Sequence, residues 1–261
     1  MTERRVEPLP FIQTGSGASA LVFIHGFLDD GRFWRPTIQA LETRNLALVT
    51  LDLPGMGKAA ADPGPFSLDG LAQAVTSVVD PVNRPTVLVG HSMGAQIAEL
   101  VAGMRPGQIV GLVLLSPLPL GGMALPEVRA TAFRRFGCNP KGERERLRSA
   151  SHLQAAGLAH IATARATLHL RTVAALFDAW SDGHESGMVP SVVKVPVSII
   201  HGVDDPFVTS DLLTNAILPR FDRARITSIS NSSHWPHLEQ PAETAEAIDG
   251  FLAEIGWSQE R

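Results

Sequence analysis

A serine between two glycines, Gly90-His91-Ser92-Met93-Gly94, lies between a short apolar β-branched run, Val87-Leu88-Val89, and a helix-forming stretch from Ala95 to Met104. Strand, sharp turn and helix with a hydroxyl at the apex is an arrangement suited to nucleophilic chemistry. The spacing has a steric cause. The apex backbone is strained, and side chains two residues to either side would collide, so Gly90 and Gly94 remove them. The turn also aims the first N–H groups of the helix at an oxyanion forming beside Ser92. The same five residues also fit a glycine-rich turn whose serine only caps a helix, so the assignment depends on partners elsewhere.

A serine hydroxyl is a poor nucleophile at neutral pH and needs a base within hydrogen-bond reach, itself oriented by an acid. Two downstream segments offer both. His201-Gly202-Val203-Asp204-Asp205-Pro206-Phe207-Val208 follows the apolar run Val197–Ile200, and Asn231 to Pro241, with His234, His237 and Glu239, follows Arg225–Ile229. Both are loops after strands, where the carboxyl edge of a parallel sheet would collect them beside Ser92.

The elements that must position these loops are legible as a rhythm. Leu21–Ile24, Leu46–Leu51, Val87–Val89 and Val110–Leu115 read as strands buried on both faces. Phe33–Leu41, with Pro36 in its first turn, and Ser67–Val79 read as helices between them, the second with Ser67 as N-cap and Leu68, Leu71, Val75 and Val78 on one face. Phe11-Ile12-Gln13 before a Gly-Ser-Gly turn suggests an early hairpin. Strand and helix in alternation argue for an α/β, doubly wound, mostly parallel sheet. The alternation stops at Ser116-Pro117. Glu127–Phe136, Glu143–Leu158 and Ala159–Trp180 read as helices, before strands at Val197–Ile200 and Arg225–Ile229 and helices at Leu212–Leu218 and Ala242–Phe251. Residues 117–190 are therefore expected to be a helical lid inserted after the sixth strand, over a core made of 1–116 and 191–261.

With these residues in place, the chain resembles a lid-bearing serine hydrolase of the α/β-hydrolase fold over residues 10–257. His25-Gly26-Phe27, Asp52-Leu53-Pro54-Gly55-Met56-Gly57, the serine turn, Gly202-Val203-Asp204-Asp205 and Ser233-His234-Trp235-Pro236 carry the likeness. The resemblance implies Ser92 as nucleophile, Asp205 as acid with Asp204 its rival, and His234 as base. It implies an oxyanion hole from the backbone N–H groups of Phe27 and Met93. His25, His91 and His201 fall on scaffold positions of the family, His237 is expected to be solvent-facing or structural, and the Asp52–Gly57 stretch is expected to be a structural turn. Leu118, Trp180, Val208 and Trp235 are candidate substrate contacts. Arg129, Arg134 and Arg135 fit a solvated lid face better than contacts to an anionic substrate.

A serine at the apex disfavours the dehalogenases and epoxide hydrolases of the fold, which place an aspartate there. His91 departs from the Asn of ring-fission C–C hydrolases. Ala95-Gln96 stands where SHCHC synthase, a lyase with a similar His-Gly-Phe-Leu motif, carries a basic residue. The reading is therefore hydrolysis of a carboxylic ester or lactone of a small, largely apolar molecule, with no cofactor and no metal. The other readings are C–C hydrolysis, a lyase reaction or a ligand receptor on the same fold.

Composition bounds the rest. The 261 residues, 44% hydrophobic, suffice for one large core, and a net charge of −4 spread along the chain gives no nucleic-acid footprint. A single cysteine, Cys138, excludes an intramolecular disulfide and is read as structural. The polar start and the lack of any long apolar run lead to an expectation of a soluble, cytoplasmic protein with a small-molecule substrate and no membrane partner.

Overall fold

Apolar runs without polar alternation are stable only between two covering layers, and that is where these strands lie. The computed structural model describes residues 9–136, 150–165 and 168–257. Strands β1 (Phe11–Thr14), β2 (Ser19–Ile24), β3 (Leu46–Leu51), β4 (Thr86–His91), β5 (Ile109–Leu115), β6 (Val197–Gly202) and β7 (Ala224–Ile229) form one sheet in the order β1-β3-β2-β4-β5-β6-β7. All neighbours are parallel except β1, which runs antiparallel to β3.

Alternate residues of each strand enter opposite cores. Leu21, Phe23, Val87, Val89, Val113, Leu115 and Ile200 pack with Trp34, Ile248 and Phe251, which belong to or adjoin helices α1 (Arg35–Ala40) and α7 (Pro241–Glu254). Val22, Ile24, Leu88, Leu112, Leu114 and Ile199 face the other way, toward α2 (Leu68–Val82) and α3 (Met93–Met104). The sheet is thus wound on both sides. Ser67 caps α2 by accepting from the Gly70 N–H, and Pro36 sits in the first turn of α1 where no donor is lost.

The register decides where the loops leave. Ile24 lies beside Gly90, Leu115 beside His91, and Ile229 beside Gly202. The segments after β2, β4, β6 and β7 therefore depart from one edge of the sheet.

Five expectations need correction. The early hairpin does not form, because β2 has β3 and β4 on its two sides, so β1 passes it and adds to the free edge of β3. The helical insertion follows the fifth strand, β5, rather than a sixth. It contains α4 (Glu127–Phe133), α5 (Ala155–Arg165) and α6 (Leu170–Asp182), with no strand among the described residues. The continuous helix expected over Ala159–Trp180 is two helices, α6 restarting after an extended His169. The helix expected over Leu212–Leu218 is instead part of a series of irregular helical turns from Ser210 to Arg220. Helix α4 stops at Phe133 because the following residues tighten to i−3 hydrogen bonds, Arg135 N–H to Ala132 O and Phe136 N–H to Phe133 O. Most of the helix expected over Glu143–Leu158, and Cys138, lie outside the described residues. None of the helices among the described residues is long and apolar enough to cross a membrane.

One buried ion pair fastens the returning end of the insertion to the core. Arg220, 9% exposed, donates to Glu99 Oε1 of α3 at 2.6 Å and to the carbonyls of Ser186, Gly187 and Val189. Arg220→Ala strands the Glu99 carboxylate in the interior, so it is expected to cost about 3–5 kcal/mol in equilibrium unfolding. Restoring stability with Glu99→Gln in the same chain would identify the uncompensated charge as the cause.

Candidate active site

The turn after β4 has the strain its glycines anticipate. Ser92 sits at φ 54°, ψ −117°, a region costly for any side chain. A Cβ on Gly90 would come within 2.4 Å of the Gly94 carbonyl oxygen, and one on Gly94 within 2.4 Å of the Ile24 carbonyl oxygen. Only glycine at both positions lets α3 begin this close to β2 and β4. The apex residue is thereby pushed out of the strand line, beside the loops from the neighbouring strands.

Three side chains distant in sequence meet there. His234 Nε2 lies 3.0 Å from Ser92 Oγ, and His234 Nδ1 lies 2.8 Å from Asp205 Oδ2. The geometry fits an Nδ1–H donating to the carboxylate and a bare Nε2 accepting from the hydroxyl. The second oxygen of Asp205 accepts from the Phe207 and Val208 N–H groups at 2.8 and 3.0 Å. Ser92, Asp205 and His234 are all buried.

Burial by itself would disfavour both charges of the Asp205–His234 pair, but their mutual attraction and hydrogen bond outweigh it. With its two backbone donors, Asp205 is held below the usual carboxylate range, and His234 is held above the ordinary histidine value of 6.5, with smaller help from Asp29 and Glu239. A base that must be neutral to accept a proton then gives kcat/KM an acid limb centred above pH 6.5, which a pH–rate profile checks.

Three other histidines behave oppositely. Burial first of all holds His91, His201 and His237 below 6.5, His237 well below. The stability they contribute is present above pH 6.5 and is lost as pH falls through their folded-state values; His234 alone works in the other direction, its contribution being lost as pH rises. The melting temperature is therefore expected to drop between pH 7 and 5. His237→Asn should flatten that drop in a thermal melt series.

Asp204, the rival acid, does not reach His234. Its exposed carboxylate pairs with His152 of the insertion at 2.8 Å. The turn after β6 sends adjacent side chains to opposite sides, one inward to the histidine and one outward. Of the scaffold histidines, His25 accepts from the Leu53 N–H at 3.0 Å, His91 Nε2 meets the His234 carbonyl oxygen at 2.7 Å, and His201 meets Ser228 Oγ at 2.9 Å. His237 is buried, its ring stacked on Trp34 at 4.5 Å. Asp52 braces its turn by accepting from the Gly31 and Lys58 N–H groups.

A cavity of about 40 Å³ opens on Ser92 and His234. Its lining includes Phe27, Leu118, Trp180 and Trp235, and also Met123, Phe133, Phe136, Phe207 and Asp29. Val208 is not among them. Its side chain is fully buried in the main core, because the turn that offers its N–H to Asp205 points the isopropyl group inward. Phe133 and Phe136, three residues apart in the insertion, pack at 4.4 Å and each approaches Phe27. That i, i+3 aromatic spacing is the signal by which they could have been found. Met93 is the first residue of α3, where the helix leaves its N–H groups without intrahelical partners, and Phe27 shares the cavity wall with Ser92.

Gln96, standing where a basic residue was considered, donates to the Pro119 and Trp180 carbonyls and so ties α3 to the insertion. Arg134 pairs with Asp178 and lies over the Phe177 ring, and Arg129 lies over Phe207. None of the three arginines considered for an anionic substrate lines the cavity. Among the described residues no group of three or more His, Cys, Asp or Glu side chains is arranged to hold a metal ion.

Comparison with known proteins identifies the family and the fold. The sequence profile described as the Alpha/beta hydrolase family matches residues 21–247. Lipase LipV of Mycobacterium tuberculosis is 33% identical over 115 residues, 43% of this chain and 43% of that protein, so the match spans under half of that relative's length. The (E)-2-((N-methylformamido)methylene)succinate hydrolase of Acinetobacter baylyi is 24% identical over 254 residues, 93% of each chain. Among solved structures, a bromoperoxidase from Bacillus anthracis superposes with a TM-score of 0.81 at 17% identity, covering 93% of this chain and 94% of that one. A likeness at that identity speaks for the fold alone.

Proposed function

The chain belongs to the alpha/beta hydrolase family, and on that premise we propose that it hydrolyses a carboxylic ester or lactone of a small, largely apolar molecule through an acyl-enzyme on Ser92. The observation that carries this reading is the unbroken hydrogen-bond chain from Ser92 through His234 to Asp205, opening on an apolar cavity. The kinship with a lipase supports ester chemistry.

In the proposed cycle Ser92 Oγ attacks the acyl carbon while its proton passes to His234 Nε2. The carbonyl π pair moves to oxygen, and the N–H groups of Phe27 and Met93 hold the resulting oxyanion; one such donor is worth about 10²–10³ in rate. Collapse of the tetrahedral adduct breaks the bond to the alcohol oxygen, which leaves with the proton from His234. In a lactone that hydroxyl stays tethered to the acyl group. Water then gives a proton to His234, attacks the acyl carbon and releases the acid, and the proton returns to Ser92. Asp205 keeps the imidazole in the required tautomer and stabilises its charged form.

The described part of the insertion serves in this reading as the cover of the site, since Leu118, Met123, Phe133, Phe136 and Trp180 supply one wall of the cavity. Aromatic walls around so limited a space favour short or flat acyl groups. The test is a panel of p-nitrophenyl esters of increasing acyl length together with several lactones, followed by mass spectrometry of the quenched enzyme. Preference for the short members and an acyl adduct on the Ser92 peptide is the expected result. Absence of turnover across the panel, with no adduct, would overturn the reading.

A further inference from the structure

A second buried carboxylate lies behind the base, and nothing in the cycle above uses it. Asp29, 1% exposed, leaves the loop after β2 and is the one carboxylate among the cavity-lining residues. Its Oδ2 accepts from Trp235 Nε1 at 3.0 Å and lies 3.5 Å from His91 Nδ1. Trp235 is the chain neighbour of His234, and its ring stands edge-on to the His234 ring at 5.1 Å. His91, the neighbour of Ser92, hydrogen-bonds through Nε2 to the His234 carbonyl oxygen at 2.7 Å, with its ring 5.1 Å from that of His234. One carboxylate therefore touches both side chains that grip the base, one through the adjoining residue and one through the backbone.

We propose that Asp29 is a positioning residue of the site: acting through Trp235 and His91, it fixes the loop that carries His234, and its charge stabilises the imidazolium formed during each proton transfer. This inference rests on the hydrolytic reading above for its role in turnover, but not for its electrostatics. A charge costs several kcal/mol to bury unless it is compensated. Among its partners are the Trp235 N–H and the His91 ring, with the raised His234 close by. That makes Asp29 a counter-charge to the base in addition to Asp205. The ionisable groups around His234 are Asp205 from the turn after β6, Asp29 from the loop after β2, His91 and Ser92 from the serine turn, and His237 and Glu239 from the helical turn Pro236–Glu239. Asp205 contacts the ring directly and dominates; Asp29 adds to its effect, and His91 and His237 oppose it when charged.

The experiment is an NMR titration of the His234 ring, assigned with a His234→Asn variant, in the wild type, Asp29→Asn and Trp235→Phe. Asp29→Asn keeps an oxygen for the indole N–H but removes the charge. Its His234 titration is expected to move toward acid by about half a pH unit or more. The acid limb of kcat/KM for p-nitrophenyl acetate should follow, with kcat lowered and KM unchanged. Trp235→Phe loses the hydrogen bond and keeps the charge, so the titration should stay near the wild-type position. Coincident titrations of wild type and Asp29→Asn, or an equal shift in Trp235→Phe, would overturn the proposal by reducing Asp29 to packing. If Asp29→Asn fails to fold, Asp29→Ser takes its place under the same criteria. Because the NMR measurement needs no substrate, it decides the role of Asp29 even if no ester is turned over, which would count against the hydrolytic reading alone.

Discussion

Ser92→Ala is expected to lower kcat for a p-nitrophenyl ester by about 10⁶-fold, leaving a residue of about 10³ over the uncatalysed reaction. The size follows from the loss of the covalent route: among the described residues Ser92 Oγ is the hydroxyl at hydrogen-bond distance, 3.0 Å, from His234 Nε2. The surviving rate is what the oxyanion donors and the cavity supply without a nucleophile. The same position gives a second readout. Ser92 holds φ 54°, ψ −117°, where a Cβ is strained at a cost of about 1–3 kcal/mol. Ser92→Gly should therefore be as inactive as Ser92→Ala but more stable than it in chemical unfolding. The strain is needed to present the hydroxyl and serves nothing else. Ser92→Ala retaining more than a few per cent of wild-type turnover would remove the nucleophile from the account.

Asp205→Asn is expected to reduce kcat by about 10⁴-fold, as an amide in place of the acid favours the wrong imidazole tautomer. The carboxylate accepts the His234 Nδ1–H at 2.8 Å, which leaves Nε2 bare toward Ser92. An amide nitrogen turned toward the ring would instead donate to Nδ1 and put the proton on Nε2. The Asn oxygen can still take the Phe207 and Val208 N–H groups, so the fold of the turn should survive. Asp204→Asn is the control one residue away. Its carboxylate pairs only with half-exposed His152 among the contacts described, an exposed pair worth about 0.2–1 kcal/mol, and its kcat should stay within about twofold of wild type. Steady-state kinetics on the two variants, with circular dichroism to verify folding, separates the assignments. A severe loss in Asp204→Asn with a mild one in Asp205→Asn would exchange the two roles.

Much of this arrangement could be read from local chemistry. The pair Gly90 and Gly94 announces a turn that no other residues could make, because both missing side chains would overlap backbone carbonyls. Strands from β2 to β6 are visible because a run such as Leu21–Ile24 is apolar on both faces, which only a covered sheet tolerates. The scaffold histidines, by contrast, are held by bonds between distant segments: His25 with Leu53, His91 with His234 and His201 with Ser228.

Other features depend on distances that no single stretch encodes. The strand Phe11–Thr14 pairs with β3 and not with β2 because the neighbours of β2 are settled by chain segments far downstream. Val208 differs from Leu118 and Trp180 only in the direction its turn takes, and side-chain type cannot distinguish them. Phe133, Phe136 and Phe207 become one wall only after the insertion folds back over the sheet. The choice between Asp204 and Asp205 is of the same kind, since adjacent residues on one turn diverge and the position of a histidine 29 residues away from Asp205 selects between them.

Shared family motifs in the chain pointed to Ser92, Asp205 and His234, while the serine turn and the sheet were legible because steric exclusion at the glycines and two-sided burial of the strands act between near neighbours. Only the tertiary structure showed that Asp204 turns away to His152, which aromatic residues enclose the cavity, and that Asp29 meets Trp235 and His91. Those outcomes depend on which loops converge at a shared edge, and convergence is a property of the packed sheet rather than of any segment within it.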